Sequence, residues 1–137
     1  MNFLIVGGDE RLVRLAGLLI DAGHNPAGID ALCQTLDELL PNREIITVMA
    51  MMKDKDYESC IPMVASRSSL LIATTVGLPR SLLPEELARE AGHCCKTDTA
   101  PSVVEGIRLA RSIAEPGQLV LICGSVYAAG EALRTIS

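Results

Sequence analysis

Residues 18–32, LLIDAGHNPAGIDAL, place an acid, a histidine and an asparagine between two apolar stretches. At the end of a strand, Asp21 could accept hydrogen bonds from a ribose or hold a cation. His24 could donate to a phosphate at the N-terminus of the following helix, and Pro26 suits the first turn of that helix. In the plainer alternative, which composition alone favours, Asn25 only caps the helix and His24 is solvated.

Three later loops carry polar side chains of the same kind. The run KDKD, residues 53–56, could grip a charged substrate or pair with another domain; alternatively, it is a solvated loop in which one of the acids caps a helix. Arg80 could clamp a carboxylate or phosphate, although a single loop arginine is more often only solvated. Ser125, after a buried strand and a glycine, could contact an anion or simply cap a helix.

Several common signatures are absent from the sequence. It has no G-x-x-x-x-G-K-[ST] phosphate loop and no G-x-G-x-x-G fingerprint, since VGGDE at 6–10 offers only an adjacent pair of glycines. No Ser-His-Asp or Cys-His pattern stands out among its two histidines. Hydrolase and dinucleotide-dependent functions are therefore disfavoured.

Length and charge limit the partners of the chain. Its 137 residues suit one domain, and the net charge of −5 without a Lys/Arg block disfavours nucleic acid or an anionic membrane as a partner. No apolar run reaches the roughly 18 residues of a spanning helix, and the N-terminus lacks a basic stretch typical of a signal peptide. We therefore expect a cytoplasmic protein.

The five cysteines are odd in number and form no C-x-x-C pair, so buried free thiols are expected. A metal site at HCC, residues 93–95, is disfavoured because adjacent residues of a strand point to opposite faces.

The pattern of apolar and polar residues predicts alternating strands and helices. The predicted strands are 18–20, 44–51, 69–76, 93–97 and 118–125; the predicted helices are 26–40, a Pro-containing helix within 53–67, 84–92, 100–114 and 126–136. Apolar strands alternating with helices predict a three-layer, Rossmann-like α/β domain, with a mostly parallel sheet of about five or six strands and helices on both faces. In such sheets ligands bind outside the carboxyl ends of the strands, where all four polar loops fall.

The opening of the chain has two interpretations. Either a strand and a glycine turn lead into one long helix over 10–22 with an apolar stripe, or 3–6, 12–15 and 18–20 are three short strands. The local pattern favours the helix.

Four motifs together resemble the C-terminal domain of the Mur ligase family, most closely its folylpolyglutamate synthase/dihydrofolate synthase branch. They are IDAGHNPAGIDAL, MAMMKDKD, TTVGLPRSLLPEEL and LVLICGSVYAAGEAL, in the family's order across residues 18–137. The resemblance favours strand at 18–20. It implies an ATP-dependent ligase that joins L-glutamate to a folate carboxyl group through an acyl phosphate.

The resemblance also implies roles for individual residues. Those implied to contact ATP are Asp21, His24, Asn25 and, as a displaced substitute for the arginine of the family's W-P-G-R stretch, Arg11. Those implied to line the substrate cleft are Lys53, Asp56, Arg80 and Ser125. It assigns this chain no catalytic residue and no metal ligand.

Two departures qualify that implication. The family's P-loop, magnesium ligands and folate pocket belong to an N-terminal partner domain not found in this sequence. We therefore expect weak or no binding of ATP with magnesium, no turnover by the chain alone, and possible homo-oligomers through the uncovered interface.

Residues 1–17 instead resemble the N-terminal strand and helix of dipicolinate synthase, which is of Rossmann type. This second resemblance leaves an engineered or recombined Rossmann-like chimera without retained function as the alternative.

Overall fold

The computed structural model describes residues 3–6, 12–15 and 18–136, and the side chains of residues 18–135. Within this part the strands are β1 Phe3–Val6, β2 Leu12–Leu15, β3 Leu18–Asp21, β4 Ile45–Met49, β5 Leu70–Ala73, β6 Lys96–Thr99 and β7 Leu119–Cys123. The helices are α1 Pro26–Leu39, α2 Tyr57–Ala65, α3 Pro84–Ala91, α4 Val103–Ile113 and α5 Val126–Ile136.

The strands form one seven-stranded sheet in the order β1-β2-β3-β7-β4-β5-β6. From β3 to β6 the neighbours are parallel, and β1, β2 and β3 pair antiparallel at one edge. The predicted parallel sheet is thus confirmed as its five-stranded part, and the two short antiparallel strands extend it.

Helices cover both faces of the sheet, which confirms the three-layer architecture. Along β4, Ile45 and Met49 pack with α1, α2 and α3 on one face, while Ile46 and Val48 pack with α4 and α5 on the other. This alternation follows from the two-residue period of a strand, and burial on both faces explains why the central strands are apolar throughout.

The helical interpretation of residues 10–22 is wrong for the described part, since Leu12–Leu15 and Leu18–Asp21 are strands. The apolar residues of these two short strands repeat at intervals that also fit one face of a helix, so the local pattern alone did not distinguish the two. Strand at 18–20 is the conformation that the ligase resemblance favours.

The strand predicted at 93–97 begins three residues later, at Lys96. His93 and Cys94 lie in a turn instead, so the strand geometry used to argue against a metal site there does not apply. Cys33, Cys60 and Cys123 are buried as expected, whereas Cys95 is half-buried and Cys94 is exposed.

Among the described residues, no helix is long and apolar enough to cross a membrane.

Candidate functional site

A small open cleft of about 120 Å³ lies at the carboxyl edge of the parallel strands. The loops after β3, β4 and β5 and the start of α5 meet there. The lining residues are His24, Met52, Asp54, Lys55, Arg80, Ser125, Val126 and Tyr127. The position agrees with the rule that ligands of parallel α/β sheets bind outside the carboxyl ends of the strands.

The turn between β3 and α1 presents His24 to the cleft. Asp21 is only 3% exposed, and its Oδ2 accepts a hydrogen bond of 2.8 Å from the Gly23 N–H. Asn25 caps α1, with its Oδ1 accepting from the Gly28 N–H at 2.8 Å, and Pro26 occupies the first turn. His24 is half-buried, and its Nδ1 lies 3.3 Å from the Ala22 carbonyl oxygen. The two flanking polar residues thus shape the turn, and the imidazole is the group that reaches the cleft.

The loops after β4 and β5 are joined to each other through their backbones. The Lys53 N–H donates to the Arg80 carbonyl at 2.6 Å, and the Leu82 N–H donates to the Met51 carbonyl at 2.8 Å. An antiparallel bridge pairs Met52 with Ser81. These contacts position Arg80 at the rim of the cleft.

Two cations and one carboxylate line this rim. Arg80 Nη1 donates to Asp54 Oδ2 at 2.7 Å, and Lys55 lies on the same wall. Local positive charge would attract an anionic ligand, although the chain as a whole is acidic.

The fourth wall is the start of α5. Ser125 is only 1% exposed, and its Oγ accepts from the Tyr127 N–H at 3.1 Å, so it caps the helix. Gly124 precedes it with φ +100, a conformation that side-chain-bearing residues rarely adopt. The N-terminus of this helix therefore opens onto the cleft, with its partial positive charge directed there.

The structure brings together three of the predicted site residues, His24, Arg80 and Ser125, around one cleft. Asp21, at the end of β3, and Asn25, the cap of α1, flank His24 but do not line the cleft, and Lys53 and Asp56 are exposed but do not line it either. Asp56 instead caps α2, since its carboxylate accepts from the Ser59 N–H at 3.3 Å and the Ser59 hydroxyl at 2.8 Å. Arg11 lies outside the described residues.

Sequence reasoning named the whole KDKD run but assigned Lys53 and Asp56 to the cleft instead of Asp54 and Lys55, and it did not place Tyr127 there. For Asp54 and Lys55, the run itself indicated only that one of its acids caps the following helix, which did not distinguish Asp54 from Asp56. For Tyr127, nothing in the sequence distinguished a cleft residue from an ordinary exposed position on the first turn of α5.

Three buried thiols lie in the helix–sheet layer formed by α1, α2 and α3. Burial raises the pKa of Cys33 and of Cys60 to about 11, and it also raises the pKa of Cys123 well above its ordinary value. These cysteines are neutral at physiological pH and behave as core residues rather than nucleophiles.

The sequence matches the family described as "Mur ligase, glutamate ligase domain" over residues 10–126. The chain belongs to the Mur ligase family. The match covers most of the chain, including part of the opening segment, so the chimera alternative is not favoured.

Similar proteins place the chain in the folylpolyglutamate synthase branch of the Mur ligases. It is 32% identical to the dihydrofolate synthase/folylpolyglutamate synthase of Mycobacterium tuberculosis over 143 residues, covering 93% of this chain and 29% of that protein. It is 31% identical to the folylpolyglutamate synthase of Lacticaseibacillus casei over 121 residues, covering 87% of this chain and 27% of the relative.

A solved structure shares the fold. Folylpolyglutamate synthase of M. tuberculosis, complexed with ADP and AMPPCP, superimposes with a TM-score of 0.80 at 32% identity, covering 88% of this chain and 29% of that one. The chain thus corresponds to the glutamate ligase domain and spans about three-tenths of the length of these relatives.

Proposed function

We propose that this chain is the glutamate ligase domain of an ATP-dependent dihydrofolate synthase/folylpolyglutamate synthase-type enzyme, and that its cleft contacts the nucleotide and the incoming L-glutamate. The observation that carries the proposal is the convergence of His24, Lys55, Arg80 and Ser125 at the carboxyl edge of the sheet. These groups come from four separate loops, and each can bind an anion.

The proposed reaction has two steps. A folate carboxylate oxygen attacks the γ-phosphorus of ATP, and ADP leaves. The amine of L-glutamate then attacks the acyl carbon, phosphate leaves with the carbon–oxygen electron pair, and the nitrogen loses a proton as the amide forms. Lys55 and Arg80 would hold carboxylates of the substrate, and closure of a second domain over the cleft would exclude water from the acyl phosphate.

The nucleotide contacts follow from the turn before α1. His24 would donate to a phosphate, while Asp21 and Asn25 would hold the turn in shape for that contact. Arg11 remains a candidate for a further ATP contact. Residues 18–135 contain no cluster of three or more metal-ligand side chains. We therefore expect magnesium, together with most phosphate contacts, to be held by the second domain.

The exposed apolar side chains at the rim support a partner domain. Leu78, Val126 and Tyr127 are each more than two-fifths exposed beside the cleft or its Arg80 loop. They would contact the P-loop domain in the complete enzyme, or a second copy of this chain where that domain is absent. Such an enzyme would act in the cytoplasm.

Calorimetric titration with ATP and magnesium tests the nucleotide contact on the wild-type chain, His24→Ala and His93→Ala. His93 is a matched control because it lies in the exposed turn before β6. We expect weak saturable binding by the wild type and by His93→Ala, and a loss of about tenfold in affinity for His24→Ala.

Absence of binding by the wild type, or equal binding by all three chains, would contradict the proposed nucleotide contact. A phosphate-release assay with ATP, L-glutamate and a folate should show no turnover by this chain, because it contains no P-loop motif of its own. Turnover would contradict that part of the proposal.

A further inference from the structure

The ion pair between Arg80 and Asp54 leaves most of the arginine uncommitted. Only Nη1 contacts Asp54, at 2.7 Å, and the Arg80 side chain is 64% exposed. A guanidinium has five N–H donors arranged as a planar fork, so one edge of this fork remains for a second acceptor. That acceptor would lie in the cleft that both side chains line.

The backbone of the two loops does not depend on this ion pair. Main-chain hydrogen bonds between Lys53 and Arg80 and between Met51 and Leu82 join the loops, and Met51 and Leu82 are buried. The ion pair itself is exposed, and exposed ion pairs contribute little to folding. The contact with Asp54 therefore bears on the Arg80 side chain and not on the position of its loop.

Asp56, the second acid of the KDKD run, could replace Asp54 beside Arg80 only by giving up its own hydrogen bonds. Asp56 is engaged at the N-terminus of α2 through the Ser59 N–H and hydroxyl. The two acids thus have separate roles, one at a helix cap and one on the arginine.

We propose that Asp54 is a positioning residue: it holds the guanidinium of Arg80 so that its free edge receives a carboxylate of the amino-acid substrate. This inference rests on the proposed function, and it adds the residue that orients the carboxylate-binding group.

Charge alone predicts the opposite effect. Asp54 is an anion at the rim, so its removal would strengthen the binding of any negatively charged ligand if repulsion were its main effect. If Asp54 orients Arg80, removal of Asp54 lets the arginine side chain sample several rotamers. Binding of a carboxylate must then order that side chain, and the entropy lost in doing so weakens the binding. Whether the affinity for a carboxylate rises or falls when Asp54 is removed therefore distinguishes charge repulsion from positioning.

The test compares the wild-type chain with Asp54→Asn, Asp54→Glu and Asp37→Asn. Asp37 is the matched control, because it also pairs with an arginine, Arg67, but lies on α1 near the opposite edge of the sheet. The first measurement is the order of the Arg80 Nε–Hε group by nitrogen-15 relaxation without ligand. The second is the affinity for L-glutamate from chemical-shift titration.

We expect Asp54→Asn to lose order at Arg80 Nε and to bind L-glutamate about tenfold more weakly. Asp54→Glu should restore part of both, and Asp37→Asn should change neither. Unchanged order at Arg80, or equal or tighter binding by Asp54→Asn, would overturn the positioning role while leaving the proposed function standing. A wild-type chain that does not bind L-glutamate would contradict the proposed amino-acid contact and the positioning role with it.

Discussion

Two arginines at opposite edges of the sheet form the same kind of ion pair with different results. Arg67, just before β5, donates from Nε and Nη2 to both Asp37 carboxylate oxygens at 3.0 Å, and from Nη1 to the Met63 carbonyl at 2.8 Å. Arg80, after the same strand, contacts Asp54 through Nη1. The first arginine is largely saturated by the protein and ties α1 to the end of α2. The second keeps donors for a ligand.

The same difference extends to the rest of the two edges. At the amino edge, the turns before β4 and β7 are tied together by Arg43, whose Nε donates to the Gly117 carbonyl at 3.1 Å, and by Gln118, whose amide donates to Glu44 at 2.7 Å. At the carboxyl edge the polar side chains surround a cleft. An open cleft lies at the amino edge too, but its Arg43 and Gln118 side chains are bonded to protein groups across it. We propose that ligands bind at the carboxyl edge, where Arg80 keeps donors for them.

Replacing one glycine at each edge with alanine should give the largest difference in stability between the two edges. Gly124, at the carboxyl edge, has φ +100, and an added Cβ would lie 2.4 Å from the Ala50 carbonyl oxygen. Gly117, at the amino edge, has φ +92 with nothing within 4 Å of an added Cβ. We expect Gly124→Ala to lower the free energy of unfolding by roughly 3–4 kcal/mol and Gly117→Ala by about 1–2 kcal/mol, measured by urea unfolding. Equal losses would show that close packing beneath the cleft is not what restricts Gly124.

Two serine caps provide a smaller test. Ser125 caps α5 at the cleft, and Ser102 caps α4 by accepting from the Glu105 N–H at 3.2 Å without lining the cleft. Alanine at either position should cost about 1 kcal/mol of stability. Only Ser125→Ala should also weaken binding of ATP with magnesium, by about fivefold in calorimetry. A comparable loss of affinity in Ser102→Ala would indicate a general effect of helix caps rather than a contact in the cleft.

The smallest expected effect is the contribution of the ion pair between Asp37 and Arg67, at the amino edge, to stability. The hydrogen bond from Arg67 holds the pKa of Asp37 below its ordinary value of 3.8. Because the folded-state pKa is lowered, the stabilisation is present above the unfolded pKa and is lost as pH falls through the folded pKa. Urea midpoints of the wild type and Asp37→Asn should therefore differ by a small, constant amount above about pH 5 and converge in more acidic solution. A difference that persists unchanged in acid would exclude this carboxylate as its source.

The sequence predicted the layers of this fold because burial leaves a clear pattern. The fully buried strands β4 and β7 are continuous apolar runs, and Asn25-Pro26 marks the start of α1 where the structure has it. The predicted position of β6 was wrong because this strand lies at the edge of the sheet, where Lys96–Thr99 is polar and carries no apolar signal.

His24, Arg80 and Ser125 were predicted as individual side chains of the cleft, but the loop after β4 was predictable only as a loop. A run of four charges, KDKD, has no apolar residue to define which members face the protein. The cap formed by Asp56 and the backbone pairing of Lys53 with Arg80 decide that, and the second of these joins residues distant in sequence. The strand β2 was equally beyond local pattern, because antiparallel pairing with β1 and β3 rather than periodicity defines it.

Chemical-shift mapping of the nitrogen-15-labelled chain with ATP and magnesium tests the central claim most directly. The account predicts saturable shifts in the amides of 23–25, 52–55, 80–82 and 124–127 around the cleft, with those of 42–44 and 115–118 at the amino edge unchanged. Shifts concentrated at the amino edge, or no saturable shift at either edge, would contradict the assignment of the carboxyl-edge cleft as the binding site.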